Sequence, residues 1–128
     1  MALAYSAFQE CFLLDSNYVI GILNGTIPVP HSDTTSIAIS VVTVMELYAL
    51  AGMSDSEQRR IDTALKHLDI FPITMAIAIR AGILSRTRRR GKADLLIAAT
   101  ALEYSATLVT KNIKDFTSLP HLKVVSTI

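Results

Sequence analysis

Residues 91–110 read GKADLLIAATALEYSATLVT, an alanine- and leucine-rich run followed by a short apolar one. A glycine breaks the chain at the start, and alanine and leucine are strong helix formers, so a helix is predicted that ends at Tyr104 or Ser105. Residues 107–110 then predict a buried strand. Asp94 falls in the first turn of this helix, where an acid usually serves as a cap or as a partner of the helix dipole. A chemical role for Asp94 therefore depends on other acids that reach the same place.

The rest of the chain alternates in the same way between strand-forming and helix-forming runs. Strands are predicted at residues 11–14, 36–40, 69–74, 107–110 and 123–126. Helices are predicted at residues 18–23 with Ser16 or Asn17 as the cap, from 41 or 42 to 51, from 54 or 55 to about 68, and from 75 to about 85. This alternation predicts an α/β domain with a mainly parallel sheet of about five strands and right-handed crossovers. Pro72, in the third strand, indicates an edge position or an irregular start of the strand.

The composition predicts one globular domain over residues 1–128. Hydrophobic residues make up 51% of the chain and charged residues 18%, which leaves a fairly apolar surface, so we expect an oligomer and most simply a homodimer. Cys11 is the one cysteine, which excludes an intrachain disulfide framework and suits a reducing compartment. There is no basic secretion signal and no uninterrupted apolar run of about 18 residues. We therefore expect a cytoplasmic protein without a membrane segment.

Three further acids are predicted to lie at the same edge of the sheet as Asp94. Asp15 directly follows the first strand, Asp115 follows the fourth within a short loop, and Glu46 lies early in the helix after the second. Ligands of open parallel sheets bind beyond the carboxyl ends of the strands, near the switch point of the strand order. The helical neighbours of Glu46 are almost wholly apolar, so its carboxylate needs either a distant salt bridge or a shared site.

Carboxylates gathered in one place repel one another unless a cation lies among them. Mg²⁺ or Mn²⁺ prefers carboxylate and water ligands and commonly takes phosphate oxygens of a substrate as well. An ion of this kind can lower the pKa of an attacking water and stabilise charge on a phosphodiester. The acids therefore predict metal-dependent hydrolysis of phosphodiester bonds.

Basic residues cluster just before Asp94, although the net charge of the chain is only +1. Five of them lie within seven residues that contain no acid: Arg86, Arg88, Arg89, Arg90 and Lys92. The cluster is either a phosphate-binding patch or a solvated turn, and both interpretations stay open from the pattern alone.

The order of these motifs resembles that of the PIN domain family, and within it the VapC-like toxins of prokaryotic toxin–antitoxin pairs. The matching segments are residues 13–17 (LLDSN), 39–47 (ISVVTVMEL), 93–102 (ADLLIAATAL), 108–112 (LVTKN) and 114–116 (KDF). The resemblance covers nearly the whole chain and implies a three-layer α/β/α domain. It also implies a metal-dependent endoribonuclease that cleaves single-stranded RNA and is blocked by a cognate antitoxin protein.

The resemblance assigns roles to individual residues. It implies that Asp15, Glu46 and Asp94 are the core acids that hold Mg²⁺ or Mn²⁺. It gives Asp115 as the more variable fourth acid, with Asn112 as the alternative pocket residue. Ser16 and Thr110 are predicted to organise the pocket by hydrogen bonding. The basic residues Arg88, Arg89, Arg90 and Lys92 are predicted to contact RNA.

Two other classes of protein remain open at this point. A receiver-like phosphoacceptor domain shares the α/β alternation and a lysine after a late strand, for which Lys111 would serve, but the paired acids after its first strand are missing here. A catalytically inactive PIN-like module that binds RNA or protein is the second alternative. The histidines, His31, His67 and His121, are widely spaced and predict no zinc site.

Overall fold

The computed structural model of the chain describes residues 10–30, 36–89 and 91–128. The strands are β1 (Cys11–Leu14), β2 (Ser36–Ser40), β3 (Asp69–Phe71), β4 (Thr107–Val109) and β5 (Val124–Val125). The helices are α1 (Ser16–Leu23), α2 (Val41–Tyr48), α3 (Asp55–Leu65), α4 (Met75–Ser85) and α5 (Lys92–Glu103), and a 3-10 turn lies at Ile113–Asp115. Two residues discussed above, His31 and Arg90, lie outside the described residues.

The five strands form one sheet in the order β3-β2-β1-β4-β5, and every neighbouring pair is parallel. The predicted α/β fold and parallel sheet are therefore confirmed. The strand order runs outward in both directions from β1 and β4, so the switch point lies between these two strands. Strand β3 is at an edge, as Pro72 indicated, and it ends one residue before that proline.

Alternate side chains of the strands separate the core into two layers. Leu13, Ala38 and Leu108 point to one face, where they pack with α4 and α5. Their neighbours Leu14, Ile39 and Val109 point to the other face, where they pack with buried residues of α1, α2 and α3. Each fully buried leucine or isoleucine contributes about 1.5–3 kcal/mol of hydrophobic stabilisation, so both layers hold the sheet in place. The result is the expected three-layer α/β/α arrangement.

The bounds of several elements differ from the prediction. The cap of α1 is Asp15, whose side chain accepts a hydrogen bond from the Tyr18 amide, so the prediction of Ser16 or Asn17 as the cap was wrong. Helix α2 ends at Tyr48 rather than at residue 51, because a turn with Gly52 at φ 74° follows it. Strands β3, β4 and β5 are shorter than predicted, since strand pairing ends at Phe71 in β3 and at Val109 in β4 and covers only Val124–Val125 in β5.

Within the described part of the chain, none of the helices is both long enough and apolar enough to cross a membrane. Several apolar side chains are nevertheless exposed. Met75, Ile79 and Ile83 lie four residues apart along α4, with 80%, 56% and 50% of their surface exposed. Residues at this spacing share one face of a helix, so α4 carries an apolar stripe on its outer side.

The start of α3 supplies a test of the local interactions that fix a helix end. The Ser54 hydroxyl accepts from the Glu57 amide, and the Glu57 carboxylate accepts from the Ser54 amide, which forms a capping box. We expect Ser54→Ala to lower the free energy of unfolding by about 1 kcal/mol, measured by urea denaturation. The neighbouring Ser56→Ala, at an exposed position within α3, is the control and should change stability less. Equal losses in the two variants would contradict the capping role.

Candidate active site at the sheet switch point

The centre of the site is Asp15, which lies directly after β1 and is 7% exposed. Its Oδ1 accepts a hydrogen bond of 2.8 Å from the Tyr18 amide in the first turn of α1. Its Oδ2 accepts one of 2.5 Å from the Thr110 hydroxyl, which follows β4. The two bonds come from elements on either side of the switch point and fix the orientation of the carboxylate. Each oxygen keeps a second lone pair for another ligand.

Thr110 is fully buried, and its own contacts determine where its proton points. The Asn112 amide donates to the Thr110 hydroxyl oxygen at 3.0 Å. Since a hydroxyl has one hydrogen, this bond occupies an acceptor position and leaves the hydrogen directed at Asp15. The predicted supporting role of Thr110 therefore has a geometric basis, and Asn112 contributes through its backbone while its side chain is exposed.

Glu46 is held by a second chain of hydroxyl groups. Ser16 Oγ donates to Glu46 Oε1 at 2.5 Å and lies 3.0 Å from Thr43 Oγ1. Because the single hydrogen of Ser16 goes to the carboxylate, the Thr43 hydroxyl supplies the hydrogen of the second contact. The predicted role of Ser16 in pocket support is thus matched by a direct bond. Among residues 10–30, 36–89 and 91–128, Glu46 makes no salt bridge, and a neutral hydroxyl donates to its carboxylate instead.

Burial raises the pKa of the Asp15 carboxyl above its ordinary value of 3.8. The hydrogen bonds from Thr110 and Tyr18 oppose this effect, and the charge of Glu46 adds to it. The negative charges of Asp15 and Glu46 therefore repel each other, and this repulsion is costly because Asp15 is buried. A cation near both groups would relieve that cost.

The remaining predicted acids are placed at the same edge by the topology. Helix α5 packs on the sheet and leads into β4 through three residues, so its first turn, with the partly buried Asp94, lies at the carboxyl edge of the strands. Asp115 is partly buried at the end of the 3-10 turn that follows β4. Across residues 10–30, 36–89 and 91–128, no three His, Cys, Asp or Glu side chains are grouped so as to hold a metal ion.

The chemistry of Asp15 and Glu46 fits a hard divalent cation. Mg²⁺ is commonly held in proteins by one or two carboxylates, with waters and substrate phosphate oxygens as its other ligands. These two carboxylates supply oxygen donors of that kind, and their mutual repulsion favours a cation between them. The neutral hydroxyl donors around them fix their orientation without neutralising their charge.

The basic cluster divides into residues with different environments. Arg89 and Lys92 are exposed. Arg88 is partly buried, and its guanidinium donates to the Thr87 hydroxyl at 3.1 Å and to the Ser118 carbonyl at 3.2 Å. Arg88 therefore differs from its exposed neighbours, because it bonds to a segment thirty residues away. The choice between a solvated turn and a phosphate-binding patch concerns the exposed residues Arg89 and Lys92.

Two residues with a place in the site were not predicted to belong to it. Thr43 and Ser40 are both fully buried at the carboxyl end of β2. Thr43 lies three residues before Glu46, so both face one side of α2, and Ser40 caps that helix by accepting from the Val42 amide at 3.0 Å. The sequence feature that could have indicated them is the occurrence of two hydroxyl residues, Ser40 and Thr43, where an apolar strand passes into an apolar helix.

The fold and the site together define an α/β domain with an acidic centre at its sheet switch point. The PIN domain family matches residues 12–122, and the chain belongs to this family. This membership confirms the resemblance and excludes the receiver-like alternative. The matched range includes all four predicted acids.

Three of these relatives are informative. Ribonuclease VapC10 of Mycobacterium tuberculosis is 36% identical over 121 residues, covering 87% of this chain and 90% of VapC10. Ribonuclease VapC2 of Rickettsia felis is 30% identical over 130 residues, covering 87% and 93% of the two chains. The crystal structure of VapBC2 from Rickettsia felis, bound to a DNA fragment from their promoter, superposes with a TM-score of 0.74 at 27% identity, over 90% of this chain and 97% of that one.

The raised pKa of Asp15 predicts an unusual dependence of stability on pH. As the pH rises above 3.8, the unfolded chain ionises at this position before the folded protein does, so this group lowers stability with increasing pH. Asp15→Asn cannot ionise, and Asn also caps helices well. We expect the gain in Tm of Asp15→Asn over the wild type to be larger at pH 7.5 than at pH 4, in EDTA.

Glu57→Gln serves as the control with the opposite sign. Hydrogen bonds from the Ser54 amide and hydroxyl lower the pKa of Glu57, so its ionised form is favoured in the folded protein. Its removal should lower Tm more at pH 7.5 than at pH 4. If Asp15→Asn showed the same sign as Glu57→Gln, burial would not be the dominant effect on Asp15.

Proposed function

We propose that this protein is a metal-dependent endoribonuclease and the toxin of a toxin–antitoxin pair. The observation that carries the proposal is the Asp15 carboxylate at the switch point, fixed by Tyr18 and Thr110 and sharing its field with Glu46. It occurs in a PIN-domain chain whose relatives include proteins named ribonucleases. Buried, oriented carboxylates of this kind are typical of sites that act on phosphodiesters through a divalent ion.

The metal in this proposal is Mg²⁺ or Mn²⁺, held by Asp15, Glu46 and Asp94, with Asp115 in the same pocket. When bound, the ion would stabilise charge on the phosphodiester and lower the pKa of an attacking water. Asp15 and Glu46 provide two carboxylate ligands in one field, and the topology brings the first turn of α5 to the same edge. Substrate phosphate and water would complete the coordination of an ion that tolerates few protein ligands.

The chain's own residues orient these ligands and hold the substrate. Thr110 donates to Asp15 and Ser16 donates to Glu46, so neither carboxylate can rotate freely. Such supporting bonds keep the ligands in a fixed geometry before the substrate arrives. The exposed Arg89 and Lys92 are suited to attract the RNA backbone, because cationic groups at the rim of an acidic site offset its repulsion of phosphate.

A protein antitoxin, a homodimer and a cytoplasmic location complete the proposal. The structural relatives include toxin–antitoxin complexes, such as the one from Klebsiella pneumoniae, which is 30% identical with a TM-score of 0.72. An unrestrained ribonuclease would harm its host, so inhibition by a partner is expected. The exposed apolar stripe of α4 is consistent with association of two copies.

The first test of the proposal is cleavage itself. Purified protein with Mn²⁺ should cleave members of a panel of structured RNAs, and EDTA should stop cleavage. We expect Asp94→Asn to reduce cleavage below detection while Tm changes little, because the substitution removes a charge but keeps the shape of the side chain. Cleavage is measured by mapping product ends on total cellular RNA.

The control for Asp94→Asn is Asp55→Asn, which replaces an acid in the first turn of α3. It should leave cleavage unchanged. Full cleavage by Asp94→Asn would remove Asp94 from the site. If the wild type cleaves nothing with Mn²⁺, while Asp15→Asn and Asp94→Asn bind RNA as the wild type does, the protein is a binding module instead of an enzyme.

A second prediction concerns Thr110 as a positioning residue. Thr110→Val keeps the size of the side chain but removes the bond to Asp15 Oδ2, and loss of such a supporting bond typically costs about 10–100-fold in metal affinity or activity. Thr110→Ser keeps the hydroxyl and should retain most of the activity. The measurement is the cleavage rate as a function of Mn²⁺ concentration. Equal rates in the Val and Ser variants would show that the bond has no effect on the reaction.

A further inference from the structure

We propose that Arg88 is a positioning residue that fixes the spacing between the two segments carrying Asp94 and Asp115, and does not contact RNA phosphate. The inference rests on the proposed ribonuclease function and assigns Arg88 a role different from that of its basic neighbours. Its starting point is the environment of the guanidinium. One terminal nitrogen donates to Thr87, the other donates to the Ser118 carbonyl, and Nε is buried.

Both terminal nitrogens of the guanidinium thus bond to the protein, and Nε is buried. The Nε atom has no hydrogen-bond partner among the residues that the structure describes. Burying an unsatisfied donor is unfavourable, and the two terminal bonds help to offset that cost. Arg89, the next residue, is exposed and carries the same charge without these contacts. Arg88 is partly buried and both of its terminal nitrogens already donate to the protein, so Arg89 is the better placed of the two to bind phosphate from solution.

The Arg88 bond reaches a segment whose shape is defined by consecutive turns, residues 112–119, here called the 112–119 turn. The Asp115 amide donates to the Asn112 carbonyl at 3.0 Å, and the Leu119 amide donates to the Phe116 carbonyl at 3.1 Å. Phe116 and Leu119 are both buried in the core. A restraint on the Ser118 carbonyl is therefore transmitted to Asp115 through a few residues of ordered backbone.

The other end of Arg88 lies in the connection between α4 and α5. Five residues lie between Arg88 and Asp94, and α5 begins at Lys92. Arg88 is therefore close in the sequence to the first turn of α5, which carries Asp94. The Arg88–Ser118 contact therefore restrains both the start of α5 and the 112–119 turn, the two segments that carry Asp94 and Asp115.

The test separates positioning from phosphate binding by using three variants. Arg88→Met removes the donors but keeps a long apolar stem, Arg88→Lys keeps the charge, and Arg89→Met removes an exposed charge. We expect both Arg88 variants to lower kcat about equally with little change in KM. We expect Arg89→Met to raise KM and to leave kcat nearly unchanged.

The salt dependence of RNA binding supplies the second readout. Each lost phosphate contact with a single strand reduces the slope of log K against log salt by about 0.7. Arg89→Met should show this reduction, while Arg88→Met and Arg88→Lys should keep the wild-type slope. A reduced slope in Arg88→Met together with a normal slope in Arg88→Lys would overturn the proposal, because charge at residue 88 would then be what matters.

Hydrogen exchange of the 112–119 turn tests the same inference without any activity. The amides of residues 113–119 should exchange faster in both Arg88 variants than in the wild type, and at the wild-type rate in Arg89→Met. Unchanged exchange in the Arg88 variants would overturn the positioning role. If the wild type cleaves no RNA, the proposed function fails, and the exchange measurement still decides the role of Arg88.

Discussion

The structure depends most on the pair of hydrogen bonds that the Asp15 carboxylate accepts. One bond starts α1 and the other joins the ends of β1 and β4, the strands between which the order of the sheet reverses. The same side chain is thus a helix cap, a link between strands and the central acid of the proposed site. Its burial raises its pKa, which is an energetic cost that a residue selected for stability alone would not carry.

Around this acid the chain uses neutral hydroxyls where salt bridges would be expected. Ser16 donates to Glu46, Thr110 donates to Asp15 and Thr43 bonds to the Ser16 hydroxyl, and none of these neutral groups removes negative charge. A lysine or arginine in the same positions would have stabilised the folded protein but would have neutralised the field that attracts a cation. Two basic residues, Arg89 and Lys92, are exposed, and the proposed function has them offset repulsion of an RNA backbone.

Much of the fold follows from the sequence because the spacing of apolar residues and the local composition are properties of short segments. The bounds of α4 were predicted from the residues present, and the start of α3 was predicted at Ser54 or Asp55, of which Ser54 is the cap, since helix formers and cap residues act over one turn. The cap of α1 was mistaken because Asp15 was considered only as a ligand, although aspartate is among the best cap residues. Contacts between distant segments, such as that of Arg88 with Ser118, leave no local pattern and could not be predicted. The hydroxyl chain from Thr43 to Glu46 was missed for the same reason, because it needs the register of α1 against α2.

Asp15 serves both as a helix cap and as a ligand in the proposed chemistry, and these two roles allow different substitutions at this position. A cap accepts aspartate, asparagine or serine almost equally well, whereas a metal ligand of this kind requires the carboxylate. A relative with asparagine here would therefore fold, keep its surface and bind the same protein partner without cutting RNA. The residue at this single position would distinguish an active nuclease from a decoy that competes for the antitoxin.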